Sequence, residues 1–152
     1  METGMLHLHN LLRWVILILL LVSVIKSFSA WRSKKTFTKG DGKLWLFTMV
    51  CAHITLLVGI YLLIWGPMGI SNTQIPEGQS ILDIPTYRFQ WLFHPIAMII
   101  AIAFITLGRG MSKKAIPDEA KFRKAFTYFL LALILILVAI PWDAALIPGM
   151  PA

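Results

Sequence analysis

All four histidines of the chain, His7, His9, His53 and His94, lie in or at the edge of long apolar segments. Imidazole has little reason to enter hydrocarbon unless something there needs a nitrogen ligand, a proton or a hydrogen bond. Its nitrogens serve as axial ligands of haem iron and also suit copper and zinc. Two arginines accompany them: Arg13 follows His9 by one helical turn, and Arg88 precedes His94 by one to two turns. A guanidinium beside a buried macrocycle can hold a propionate through charge-assisted hydrogen bonds. The chemistry within reach of these residue types is therefore ligation of a metal or of haem.

The elements that must carry these groups are membrane spans. The 152 residues are 58% hydrophobic and 14% charged, well away from the composition of soluble domains. A bilayer span needs about 20 apolar residues, and four stretches qualify, approximately 6–26, 43–65, 89–109 and 125–141. They use most of the chain, which predicts one membrane domain over 1–152 and no soluble domain. Loops of short to moderate length make successive spans antiparallel, so the expected fold is all-α: an up-down-up-down four-helix transmembrane bundle with spans one and three on a diagonal.

The net charge of +7 does not indicate nucleic acid, because of where the charge sits. Twelve of the fourteen Lys and Arg fall between spans one and two or between spans three and four. Short loops rich in Lys and Arg stay on the cytoplasmic side. The expected location is a bacterial inner (cytoplasmic) membrane, multi-pass, with both termini and the 66–88 loop outside. The basic residues then act as topology signals and as contacts to anionic lipid headgroups. A cleaved signal peptide ending near Ser27-Phe28-Ser29-Ala30 would put the Lys34-Lys35 loop outside, against that charge rule, and is rejected. Cys51 is the only cysteine and reads as a small buried apolar residue.

Punctuation along the chain supports the spans. Gly40-Asp41-Gly42 is expected to turn into span two, Gly66-Pro67 to stop it, and Pro117-Asp118-Glu119 to open the fourth helix, which ends at Pro141. The long, Pro- and Gly-containing 66–86 loop has the length of a functional or disordered connection. Pro95, directly after His94, is expected to kink span three and free the Trp91 carbonyl. Trp31 and Trp45 mark one interface, and Trp65, Trp91 and Trp142 the other.

Depth decides which histidines can meet. Counting 1.5 Å per residue from the basic edge puts His9 at roughly 25 Å, His94 at roughly 22 Å, Arg13 at roughly 20 Å and His53 at roughly 15 Å. Two ligands at one height on diagonal helices suit a flat macrocycle standing in the bundle, so the first expected pairing is His9 with His94, with Arg88 outward of them. The second is His53 with His94, which needs tilt or the Pro95 kink and puts Arg13 one turn outward of the iron. The plainer readings are interfacial placement for His7 and His9, snorkelling for Arg13 and a carbonyl hydrogen bond for His53. A copper or zinc site from His7, His9, His94 and Asp143 ranks below haem. No hydrolytic or nucleotide motif is present, so an electron carrier is expected rather than a stand-alone enzyme.

The stretch His7-Leu8-His9-Asn10-Leu11-Leu12-Arg13-Trp14, with Thr36, Lys39-Gly40-Asp41, His53, His94 and Ile140-Pro141-Trp142, resembles short bacterial four-span membrane proteins commonly labelled cytochrome b. The resemblance covers nearly the whole chain. It implies b-type haem held by membrane histidines and an electron-transfer role. His7, His9, Arg13, Trp14, His53 and His94 match the group's pattern. Members often carry Gly-His at the inner end of span three; this chain has Gly108-Arg109, which argues against a second haem at that face. The expected function is a membrane-bound, b-type-cytochrome-like haem protein in electron transfer, partner or subunit of a respiratory assembly, with a quinone as a possible redox partner. The alternatives are a haem-free accessory subunit of a larger membrane complex and an outer-face metal-binding protein.

Overall fold

The computed structural model describes residues 2–142, with the Glu2 side chain left out. Asp143, considered above as a metal ligand, lies outside the described residues. The described residues form helices joined by loops, without strands: α1 Glu2–Arg32, α2 Lys39–Trp65, α3 Pro85–Arg88, a π-helical turn Phe89–Phe93, α4 His94–Gly110 and α5 Asp118–Ala139. The α3–π–α4 unit is continuous. With α1, α2 and α5 it gives four spans long and apolar enough to cross a membrane. The chain is thus an all-α, multi-pass bundle. α1 packs on α2, α2 on α4, α4 on α5 and α5 back on α1, so α1 and α4 are diagonal as expected.

Apolar residues run right round each helix, and the outward ones have no protein partner. Ile18, Leu57, Ile99 and Val138 are all more than half exposed, a face suited to lipid chains. The inward faces use small residues, because lipid tails are as apolar as leucine and helices in a bilayer associate by close packing. On α4, Ala101, Ile105 and Gly108 are buried at helical spacing against Ala125, Phe129, Ala132 and Ile136 of α5. A Cβ on Gly108 would stand 2.6 Å from Phe129 Cε1, so only glycine lets the two helices approach this closely. On α1 the buried stripe is Ile16, Leu20, Ser23, Ser27 and Ala30. Ser23 and Thr48 share a 3.1 Å hydroxyl–hydroxyl bond between α1 and α2.

The basic end is tightly tied. Gly40-Asp41-Gly42, expected as a turn, is instead the first turn of α2: Thr38 is its N-cap, and Thr38 and Asp41 form a reciprocal capping box. Asp41 also takes Lys26 Nζ of α1 at 3.2 Å. Asp118 accepts the Phe37 amide at 2.9 Å and Lys121 at 3.1 Å. Under these polar ties, Trp45 meets Phe37, Phe122 and Phe129 with ring centroids 5.0, 5.8 and 5.6 Å away. The helices on this side continue past the apolar runs into the basic loops, which is why α1 and α2 are longer than the spans read from hydropathy.

At the opposite end α2 stops at Trp65 as Gly66-Pro67 predicts. The long connection that follows is pinned by side chains. Asn72 Nδ2 donates to the Trp65 and Gly66 carbonyls, and Trp91 Nε1 donates to Met68 O at 2.9 Å. Directly before His94 and Pro95 the helix widens into the π-turn, whose i→i+5 bonding runs from His94 N–H to Phe89 O. This extra residue resets the direction in which His94 and everything after it point.

Candidate functional site

The histidine site is assembled from three helices. His9 on α1 and His94, the first residue of α4, face each other across the bundle diagonal, with ring centroids 6.4 Å apart and planes at 70°. Both residues are partly buried. The π-turn sets the direction of His94, and its ring is then fixed by α5. That helix ends at Ala139, ahead of Pro141, and the last carbonyls of a helix have no intrahelical donor. The Ala139 carbonyl takes its hydrogen bond from His94 Nδ1 at 2.7 Å. Because a carbonyl only accepts, Nδ1 carries the proton and Nε2 is left with its lone pair. A ring N–H donated to a backbone carbonyl is the usual way a protein orients a ligating imidazole.

His9 is seated by α2. A Cβ at Gly59 would come within 3.3 Å of His9 Cε1, so glycine here leaves the ring its room. The Thr55 backbone, one turn away, is within bonding reach of the ring, while Nδ1 is buried without a hydrogen-bond partner. Buried polar atoms are nearly always satisfied, so an exception calls for a partner such as a water, an ion or a ligand. Arg13, one turn along α1 on the same face, is near enough for its charge to act on both rings. Its guanidinium also stands 5.7 Å from the centroid of the Trp14 ring. Phe89 flanks His94 with ring centroids 6.2 Å apart.

The other sequence candidates are elsewhere. His53 is exposed, and its Nδ1 bonds the Met49 carbonyl one turn back at 2.9 Å. It faces outward from α2, so the height mismatch that counted against a His53–His94 pair is joined by a wrong direction. Arg88 is exposed and donates to Leu82 O at 3.2 Å; its bond is within the loop, not at the rings. His7 is exposed too, as expected for a residue two positions from His9 on a helix, which points to another side. Among the described residues no three His, Cys, Asp or Glu side chains gather as a metal-ion cluster. What sequence reasoning missed is Gly59, Thr55, the Ala139 carbonyl and the π-turn. Of these only the Ala139 carbonyl left a trace, through Pro141, which marks the end of α5.

The spacing of the two rings is that of a group ligated from both sides, and also that of an ordinary edge-to-face ring contact. A metal about 2 Å from one nitrogen of each of two opposed imidazoles separates the ring centroids by roughly 6 Å, close to the 6.4 Å found here. A tetrahedral ion would draw two of its imidazoles closer together and require further ligands. Compared with protein-family models, curated proteins and solved structures, the chain matches none of them.

Proposed function

We propose that this chain is a membrane-embedded haem protein of the b type, in which His9 and His94 would hold the haem, and that it carries electrons within a bacterial inner membrane. The observation that supports this reading best is the opposed His9–His94 pair at 6.4 Å on diagonal helices. When bound, haem would supply one-electron chemistry at a potential set by its ligands and surroundings. The chain's own residues do the rest. His94 offers Nε2, held in orientation by the Ala139 carbonyl. His9 would offer a ring nitrogen from the diagonal helix. Gly59 leaves space for the His9 ring. Arg13 contributes a positive charge beside both rings, which would favour an anionic propionate nearby and the more electron-rich state. A quinone or a subunit of a respiratory assembly is the partner that a membrane electron carrier calls for.

A reduced-minus-oxidised absorption spectrum of the purified chain tests the reading. The expected result is a b-type α-band abolished by His94→Ala and by His9→Ala and kept by His53→Ala. A colourless, fully helical protein would remove the proposal.

One observation favours a second reading. His94 already closes the C-terminus of α5, and a hydrogen bond of about 1 kcal/mol is a sufficient structural reason for it. A haem-free accessory subunit would use His94 as that clip alone. In that case His94→Ala would lower stability by about 1 kcal/mol in a protein that never showed an α-band.

A further inference from the structure

On the basic face, the turn after α4 and the first turns of α5 line a half-open hollow of about 320 Å³, formed by Met111, Lys114, Arg123, Lys124, Thr127 and Tyr128. Three cations line it and no carboxylate does. The two ion pairs among the described residues are Lys26–Asp41 and Lys121–Asp118, so neither engages these three. Of the nearby acids, Asp118 holds Lys121 and the Phe37 amide, and Glu119, one turn before Arg123 on α5, is exposed, forms no ion pair with it and does not line the hollow. Three like charges around one hollow repel one another, and an anion in the hollow relieves that repulsion.

The remaining wall indicates which anion. Arg123 and Lys124 lie one turn before Thr127 and Tyr128 on α5, so the cations and the hydroxyls share a side. Thr127 spends its proton on the Arg123 carbonyl at 3.1 Å, which leaves the Tyr128 hydroxyl as the neutral donor. The Tyr128 ring is stacked on Phe104 of α4, with centroids 6.2 Å apart and planes at 28°. Tyr128 lines the hollow together with Met111 and Lys114 of the basic turn. Cations and an aromatic hydroxyl above a lipid-facing apolar surface match a phosphate that carries acyl chains.

We propose that this cavity is a binding site for the phosphate headgroup of an anionic phospholipid, with Arg123 as its bidentate ligand, Lys114 and Lys124 as flanking charges, and Tyr128 as a hydroxyl donor. The general tendency of basic residues to gather on one face explains their number. It does not explain the convergence of three of them on one hollow beside a stacked tyrosine. Arg suits the central role because its planar fork matches two phosphate oxygens.

The test uses the purified full chain in nanodiscs of phosphatidylcholine with added phosphatidylglycerol, with spin-labelled phosphatidylglycerol as the probe. The expected result is preferential association of the anionic lipid, weakened roughly fivefold for each cation removed, to about a hundredfold in Lys114→Gln/Arg123→Gln/Lys124→Gln. Arg123→Gln alone should give the largest single loss and Tyr128→Phe a smaller one. The charge-matched Lys34→Gln/Lys35→Gln/Lys39→Gln variant, on the other basic loop, should stay within about twofold of the parent, since the effect is local. Equal losses in the two triple variants would overturn the site and leave only surface charge. Inorganic phosphate is the second arm, in pure phosphatidylcholine nanodiscs. Saturable phosphate binding that depends on Arg123, without lipid preference, would overturn the lipid assignment in favour of a soluble phosphate. These readouts do not involve the histidine site, so they stand or fall independently of it.

Discussion

The two ends of the bundle are built on different principles. The basic end is closed by fit: Trp45, Phe122 and Phe129 are almost fully buried, Gly108 admits Phe129, and Thr38, Asp41 and Asp118 tie the loops to the helices. The histidine end is closed by a few polar contacts. His94 leans on the Ala139 carbonyl, His9 keeps a buried nitrogen without a partner, and both residues are only partly buried. A bundle needs one rigid end to hold its helices in register. Buried polar atoms without a hydrogen-bond partner occur at both ends, His9 Nδ1 at one and Ser27 Oγ and Arg109 Nε at the other, so the difference between the ends lies in how tightly large side chains enclose them.

A glycine marks each end, and the contrast between them can be broken by mutation. The largest effect is expected for Trp45→Ala, which empties the aromatic cluster. It should cost about 3–5 kcal/mol in thermal or denaturant unfolding in detergent while leaving the histidine geometry, and any α-band, unchanged in the fraction that folds. A loss below about 1 kcal/mol would show that the cluster is not the structural anchor described here. Gly108→Ala comes next. The added carbon meets a ring that is itself enclosed, so the loss should be about 1–3 kcal/mol, even though alanine is the better helix former.

Gly59→Ala is the sharpest comparison and the smallest in stability. Its new carbon meets only the edge of the His9 ring at 3.3 Å, which can shift by a few tenths of an ångström. The helix-propensity gain of about 1 kcal/mol should offset that adjustment, so the unfolding midpoint stays put. The His9 ring moves, however, and the absorption maximum or the reduction potential should move with it. If Gly59→Ala destabilises the protein as much as Gly108→Ala and shifts no spectrum, the two ends are packed alike and the contrast fails.

Much of this architecture was legible beforehand. Four apolar runs, the placing of Lys and Arg, and stops such as Gly66-Pro67 led directly to the four antiparallel helices, because backbone hydrogen bonding in hydrocarbon allows little else. The depth of His9 and His94 was legible as well, since the rise per residue in a helix is fixed. Rotation about the helix axis was not. His53 has as much claim to a buried role by sequence as His94, yet it faces out, and apolar residues on every side of α2 gave no periodicity from which its direction could be read. Gly40-Asp41-Gly42 misled for a related reason: two glycines signal a turn, but the Thr38–Asp41 box starts a helix through them.

The sequence alone determined the number of helices, their order and their alternating direction, because these follow from hydrophobicity, loop length and the helical rise. Tertiary structure decided which side chains meet. The π-turn before His94 re-aimed that ring, the end of α5 supplied a carbonyl to hold it, and Gly59 made room for His9. Those outcomes depend on the azimuth and close approach of helices distant in sequence, and no local spacing of residues encodes either one.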